Sequence, residues 1–168
     1  MFRRTLIVAA VAALALAGCA KKGADPALIE ANAAQAATFM ARTAKEDGVK
    51  ALPSGVLYKV VTSGPASGRS PVPADEVKVH YEGTLISGDV FDSSYQRGAP
   101  AVMRLGGLIP AWVEALQKMK PGDVWMLYVP PEQGYGENGA GPIPPNSVLI
   151  FKIELIDSLP AAGSTAQG

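Results

Sequence analysis

Cysteine and histidine are almost missing. The 168 residues hold one of each, Cys19 and His80. A lone cysteine rules out an intramolecular disulfide. A zinc site needs clustered Cys and His ligands, and these two lie far apart in sequence. Cys–His nucleophilic catalysis needs the pair to meet in space, and Cys19 sits in the wrong segment for that. A surplus of one charge is missing as well. Fifteen basic residues balance fifteen acidic ones, so there is no basic footprint for nucleic acid. The apolar run Leu6 to Ala17 is shorter than the ~20 residues of a comfortable membrane-crossing helix. No internal repeat is visible.

Other features are plentiful. Hydrophobic residues make up 48% of the chain, enough for a real core. Eighteen glycines and fourteen prolines predict many turns, as in a sheet-rich fold. The length allows one ordinary domain with something attached.

The chain opens "MFRRTLIVAAVAALALAGC". Arg3 and Arg4 form a positive start, an apolar stretch follows, and small residues come next, as in a secretory signal. "LAGC", Leu16 to Cys19, resembles the lipobox of bacterial lipoproteins. That resemblance implies cleavage before Cys19 and lipidation of its thiol, with several acyl chains giving stable anchoring. Losing residues 1–18 removes Arg3 and Arg4 and leaves thirteen basic residues against fifteen acidic ones. Ala20, rather than Asp, after the cysteine points to the outer membrane, facing the periplasm.

Residues 19–49 read as a tether and an Ala-rich helix. Asp25-Pro26 is an N-cap followed by a first helical residue. Helix formers run from Ala27 to a stop at Gly48. The apolar stripe is weak, at Leu28, Ala31, Gln35 and Phe39, and such a helix is marginal alone in water. The expectation is a spacer; docking on the domain or pairing with a second copy are the alternatives.

From Leu52 the period becomes that of strands. "VLYKVVTSG" alternates and stops at Gly64-Pro65. "VKVHYEGTL" puts Val77, Val79 and Tyr81 on one face and Lys78, His80 and Glu82 on the other. A short run near Val102 to Leu105 is another strand. In "LIPAWVEALQKMKPG", Ile109, Trp112, Val113 and Leu116 share one helical face of about three turns. "DVWMLYVP" and "SVLIFKIELI" return to strand, the latter with Leu149, Phe151, Ile153 and Leu155 on one face. Between them lies the Gly/Pro loop "PEQGYGENGAGPIPPN", of a length that is usually functional or disordered. An antiparallel sheet covered by one short amphipathic helix is an α+β architecture.

Four stretches together resemble the FKBP family of peptidyl-prolyl cis-trans isomerases: "VHYEGTLISGDVFDSS", "LIPAWVEALQKMKPGD", "YVPPEQGYGENGAGPIPPN" and "LIFKIELI". They come in the family's order across about residues 50–158. The ending looks most like the bacterial envelope subgroup that includes macrophage infectivity potentiator (Mip) proteins. The resemblance implies a half-wrapped antiparallel sheet around a short helix, with a flexible tail at 159–168. It implies catalytic roles for Asp92, Tyr135 and Phe91. It also implies a substrate pocket of Tyr81, Leu108, Ile109, Trp112, Ile143 and Phe151, with the Trp112 ring as floor and the Ile109 N–H as a donor. Ala101 and Met103 stand where many members have phenylalanines, so one wall is less aromatic.

The implied activity is rotation of X–Pro peptide bonds in envelope proteins, without metal or cofactor. The implied partners are proline-containing polypeptides, macrolide inhibitors in the same pocket, and a membrane through Cys19. Family members that dimerise do so through long N-terminal helices, so a monomer is expected. The alternative function is a proline-binding module or holdase chaperone with little isomerase activity. Taken alone, Phe91, Trp112 and Phe151 read as plain core, and Asp92 before Ser93-Ser94 reads as an Asx turn. His80, opposite in phase to Tyr81, is not expected to act as an acid or base.

Overall fold

The structure is a computed structural model and describes residues 25–65 and 67–161. The signal, Cys19 and most of the C-terminal tail lie outside the described residues. Seven strands form one sheet: β1 (Val49–Ala51), β2 (Leu57–Thr62), β3 (Glu76–Leu85), β4 (Val90–Ser93), β5 (Ala101–Arg104), β6 (Val124–Val129) and β7 (Leu149–Leu159). Their order is β1-β2-β6-β7-β3-β4, with β5 also on β3, and every pairing is antiparallel. The sheet starts at Val49 and ends at Leu159, one residue outside each expected boundary.

Alternation sets the faces. Val77, Val79 and Tyr81 of β3 are buried, as are Leu149, Phe151, Ile153 and Leu155 of β7. The helix α2 (Pro110–Leu116) lies across this face. Pro110 opens it, where a missing N–H costs nothing. It is seven residues long, shorter than expected, and its buried face is turned. Trp112 and Leu116 are buried as expected, but Ala111 and Ala115 join them while Ile109 and Val113 are half-exposed. The two small alanines let the helix axis sit close to the sheet, which moves the contact stripe onto their side.

The Ala-rich helix departs further from expectation. α1 (Pro26–Thr43) begins as predicted, with the Asp25 side chain accepting from Ala27 N–H at 3.0 Å. It ends five residues before Gly48, because the chain needs Lys45 to Gly48 for turns that deliver it to β1. Its inward stripe is Ile29, Asn32, Ala36, Phe39, Met40 and Thr43, with Ala36 and Thr43 buried and the rest partly so, one step round from the expected one. This stripe docks on the domain, so α1 is not a free spacer. The Phe39 ring lies 6.3 Å from that of Tyr128, and Asn32 Nδ2 donates to the Pro145 carbonyl at 2.7 Å. Docking supplies what a short isolated helix lacks.

Candidate active site

Six parts of the chain converge on one hollow. β3 supplies Tyr81, β4 supplies Phe91 and Asp92, and the approach to α2 supplies Leu108 and Ile109. α2 itself supplies Trp112, β7 supplies Phe151, and the Gly/Pro loop supplies Tyr135. The hollow has a volume of about 260 Å³. That is just below the ~300–1,000 Å³ of sites for drug-sized ligands, and suits one ring with its flanking peptide units. A larger groove of about 500 Å³ runs beside α1, but Phe39 is its only ring.

A strand normally sends adjacent side chains to opposite faces. Phe91 and Asp92 nevertheless both line the hollow. The register explains it. Gly83 pairs with Asp92, but Thr84 pairs with Val90, so Phe91 is an extra residue in β4. Such a bulge re-aims a side chain.

The walls are a relay of perpendicular rings. Tyr81 meets Trp112 at 5.1 Å and 84°, Trp112 meets Phe151 at 5.2 Å and 84°, and Phe151 meets Phe91 at 5.6 Å and 90°. Edge-to-face contacts like these are favoured by the ring quadrupoles. Trp112 is 4% exposed, and its buried Nε1 has no partner among the described residues. Gly83 lies behind the last two rings, where any Cβ would collide with both.

The rim is polar. Tyr81 Oη donates to Asp92 Oδ2 at 2.5 Å, and Arg97 Nη2 donates to Tyr81 Oη at 2.9 Å. Arg97 also ion-pairs with Asp92, and its guanidinium sits 5.4 Å from the Tyr81 ring centroid. Burial opposes ionisation of Asp92, but hydrogen bonds from Tyr81 and Arg97 outweigh it and hold the carboxyl below its ordinary value. Burial first, and then the Asp92 carboxylate, push the Tyr81 phenol up. Both ion-pair partners are about half-exposed, so the pair itself stabilises the fold little, ~0–1 kcal/mol. What it does is fix where Tyr81 and Asp92 stand. The Ile109 carbonyl accepts from Trp112 and Val113 N–H, while its own N–H finds no acceptor among the described residues.

The hollow thus gathers eight of the nine pocket residues expected from the sequence. Ile143 is the exception. It is 6% exposed, belongs to the core, and does not line the hollow. The reason is a small antiparallel bridge with Ala140 that turns the loop back on itself. Two residues were missed, Gly107 on the wall and Arg97 at the rim. Arg97 sits in an exposed turn, and its one sequence signal is opposite charge to Asp92 across that turn. His80 lies on the other face, stacked on Tyr95 at 4.6 Å, away from the hollow. Among the described residues no cluster of His, Cys, Asp or Glu could hold a metal ion.

The sequence model of FKBP-type peptidyl-prolyl cis-trans isomerases matches residues 67–156, the span that builds this site. The chain belongs to the FKBP family. The model of the domain amino terminal to these FKBP isomerases matches residues 7–60, so the likeness reaches beyond the 50–158 span expected. The peptidyl-prolyl cis-trans isomerase Mip of Coxiella burnetii is 52% identical over 126 residues, covering 74% of this chain and 54% of that protein. FkpA of Escherichia coli is 45% identical over 136 residues, covering 81% and 50%. "Outer membrane protein MIP" of Legionella longbeachae is 43% identical over 134 residues, covering 79% and 57%. The chain spans about half the length of these curated FKBP relatives. Among solved structures, the crystal structure of FkpA from Escherichia coli superposes with a TM-score of 0.76 at 45% identity, over 80% of this chain and 62% of that one. A peptidyl-prolyl isomerase from Pseudomonas syringae superposes at 0.72 and 40% identity, over 77% and 95%.

Proposed function

We propose that this chain is a peptidyl-prolyl cis-trans isomerase acting on X–Pro bonds of polypeptides in a bacterial envelope. The observation that carries the reading is the relay of rings Tyr81–Trp112–Phe151–Phe91, open at a hollow whose rim holds one ionised carboxylate.

Rotation about a peptide bond faces a barrier of roughly 18–20 kcal/mol, set by resonance. The X–Pro isomers are close in energy yet exchange over tens to hundreds of seconds, so a catalyst need only lower the barrier. The planar amide separates charge between O and N, and water stabilises that separation. In the twisted amide the separation falls. An apolar wall therefore penalises the planar form more, and the twisted form is bound better. Phe91, Trp112 and Phe151 receive the proline ring. The Ile109 N–H, Asp92 and Tyr135 orient the flanking peptide units, since each polar group that loses water without a partner costs ~1–3 kcal/mol.

An isomerisation assay on the full chain with a proline peptide tests this. Turnover is expected, with Asp92→Leu and Tyr135→Phe lowering it while the fold survives. Background rates sink the enzyme; if peptide binding persists, the chain is a proline-binding module or holdase instead. Macrolide inhibitors are expected to compete for the same hollow.

The relative named as an outer membrane protein and the lipobox-like Leu16 to Cys19 support the envelope reading. We read Cys19 as lipidated and the outer membrane as its site, facing the periplasm. Among the described residues no helix is long and apolar enough to cross a membrane. If Cys19→Ala leaves the processed protein partitioning into detergent, the anchor is wrong. The buried stripe of α1 faces its own domain, which supports a monomer, and light scattering on the full chain tests that.

A further inference from the structure

The Gly/Pro loop closes on itself and is held from outside at two places, by Ile143 in the core and by Pro145-Asn146 against α1. Ala140 and Ile143 exchange backbone hydrogen bonds at 3.0 and 2.8 Å, and the Asn146 N–H donates to the Gly136 carbonyl at 2.9 Å. Gly139 is packed so tightly that an added Cβ would lie 2.2 Å from the Ile143 carbonyl oxygen. Residues 136–146 are therefore tied to one another, directly after Tyr135 in the chain. Tyr135 itself is 42% exposed, so its own packing fixes it poorly. Its place follows from where Gly136 is held.

The hold nearest the Gly136–Asn146 closure comes from α1. Asn146 Nδ2 donates to the Ile29 carbonyl at 3.1 Å, and Asn32 Nδ2 donates to the Pro145 carbonyl at 2.7 Å. The two amides face each other across the helix–loop contact. Asn146 is 8% exposed and is the one non-glycine residue with positive φ among the described residues, at 52°. Asparagine tolerates that conformation, in which its backbone N–H reaches Gly136 and its side chain reaches α1.

We propose that Asn32 and Asn146 are positioning residues that use docked α1 to set Tyr135 at the rim of the hollow. This rests on the isomerase reading above. It makes α1 a working part of the site, although the helix contributes no residue to the hollow.

The test uses the full chain with Asn146→Gly, which accepts the same φ, Asn32→Ala, Tyr135→Ala, and each asparagine variant combined with Tyr135→Ala. Two quantities are measured, kcat/KM on a proline peptide and hydrogen exchange of the amides of residues 136–147. Each asparagine variant is expected to lower kcat/KM roughly three- to tenfold, the scale of coupled contacts. The loop amides should exchange faster while those of β3 and β7 keep their protection. Once Tyr135 is alanine, the asparagine changes should add little. A full additive loss on top of Tyr135→Ala overturns the proposal, because a general loss of stability behaves that way. Unchanged loop exchange overturns it as well. If the parent chain has only background isomerisation, the proposed function falls, and loop exchange alone decides whether α1 holds the loop.

Discussion

A Cβ placed on Gly83 would lie 2.5 Å from Cζ of Phe91 and 2.8 Å from Cε1 of Phe151. Gly83 is thus the support on which two of the hollow's rings rest, although it does not itself line the hollow. Gly83→Ala is expected to cost ~1–3 kcal/mol, as overpacking does, and to lower isomerase turnover because the rings must move. Urea unfolding and the peptide assay check both. Wild-type values in both would mean that the rings have room the structure denies them.

Trp112 separates packing from hydrogen bonding. Its buried N–H has no partner among the described residues, so removing that group forfeits no bond seen there. Trp112→Phe should therefore keep most turnover and cost clearly less than Trp112→Ala, for which ~3–5 kcal/mol is expected. Equal losses from the two substitutions would assign the N–H a role in the hollow.

The Arg97 contact makes a statement about protons. Asp92 lies below its ordinary value despite burial, through hydrogen bonds from Tyr81 and Arg97. A carboxyl lowered on folding adds stability above its unfolded pKa of ~3.9 and loses it as the pH falls through the folded value. Arg97→Leu should raise the Asp92 pKa, seen by NMR titration of the carboxyl, and shift the acid limb of activity upward. Overall stability at neutral pH should change by less than ~1 kcal/mol. An unmoved Asp92 titration would leave the lowering to Tyr81 and the Ser93 N–H.

Asp75 should dominate acid sensitivity. It is 1% exposed and accepts from Val72 N–H at 2.9 Å, Arg69 at 2.7 Å and Ser158 Oγ at 3.3 Å. Burial raises its pKa, but these bonds outweigh it and leave the carboxyl lowered. The sign is that of Asp92. Asp75→Asn should cost ~1.5–3 kcal/mol at pH 7, with the gap to wild type closing as the pH falls below ~4. A gap that is constant with pH would refute the ionised assignment.

Much of this was legible in the residues. The alternation of β3 and β7 fixes their buried faces, and Asp25-Pro26 fixes where α1 begins. What escaped did so for physical reasons. The contact stripe of α1 includes Asn32 and Thr43, so a search for apolar residues slides onto the neighbouring face. The bulge at Phe91 is a property of pairing with β3, which one strand's sequence does not contain. β1 is three residues long, too short to show a period. Ile143 reads as wall, but a local bridge turns it into the core.

The docked helix also limits how far the domain can roam. If Cys19 carries lipid, only residues 20–24 separate it from the cap at Asp25, and the six Cα–Cα steps between the two span at most roughly 20 Å. The catalyst would then patrol a thin layer above the bilayer, and nascent chains would meet it as they cross or insert there rather than in open periplasm.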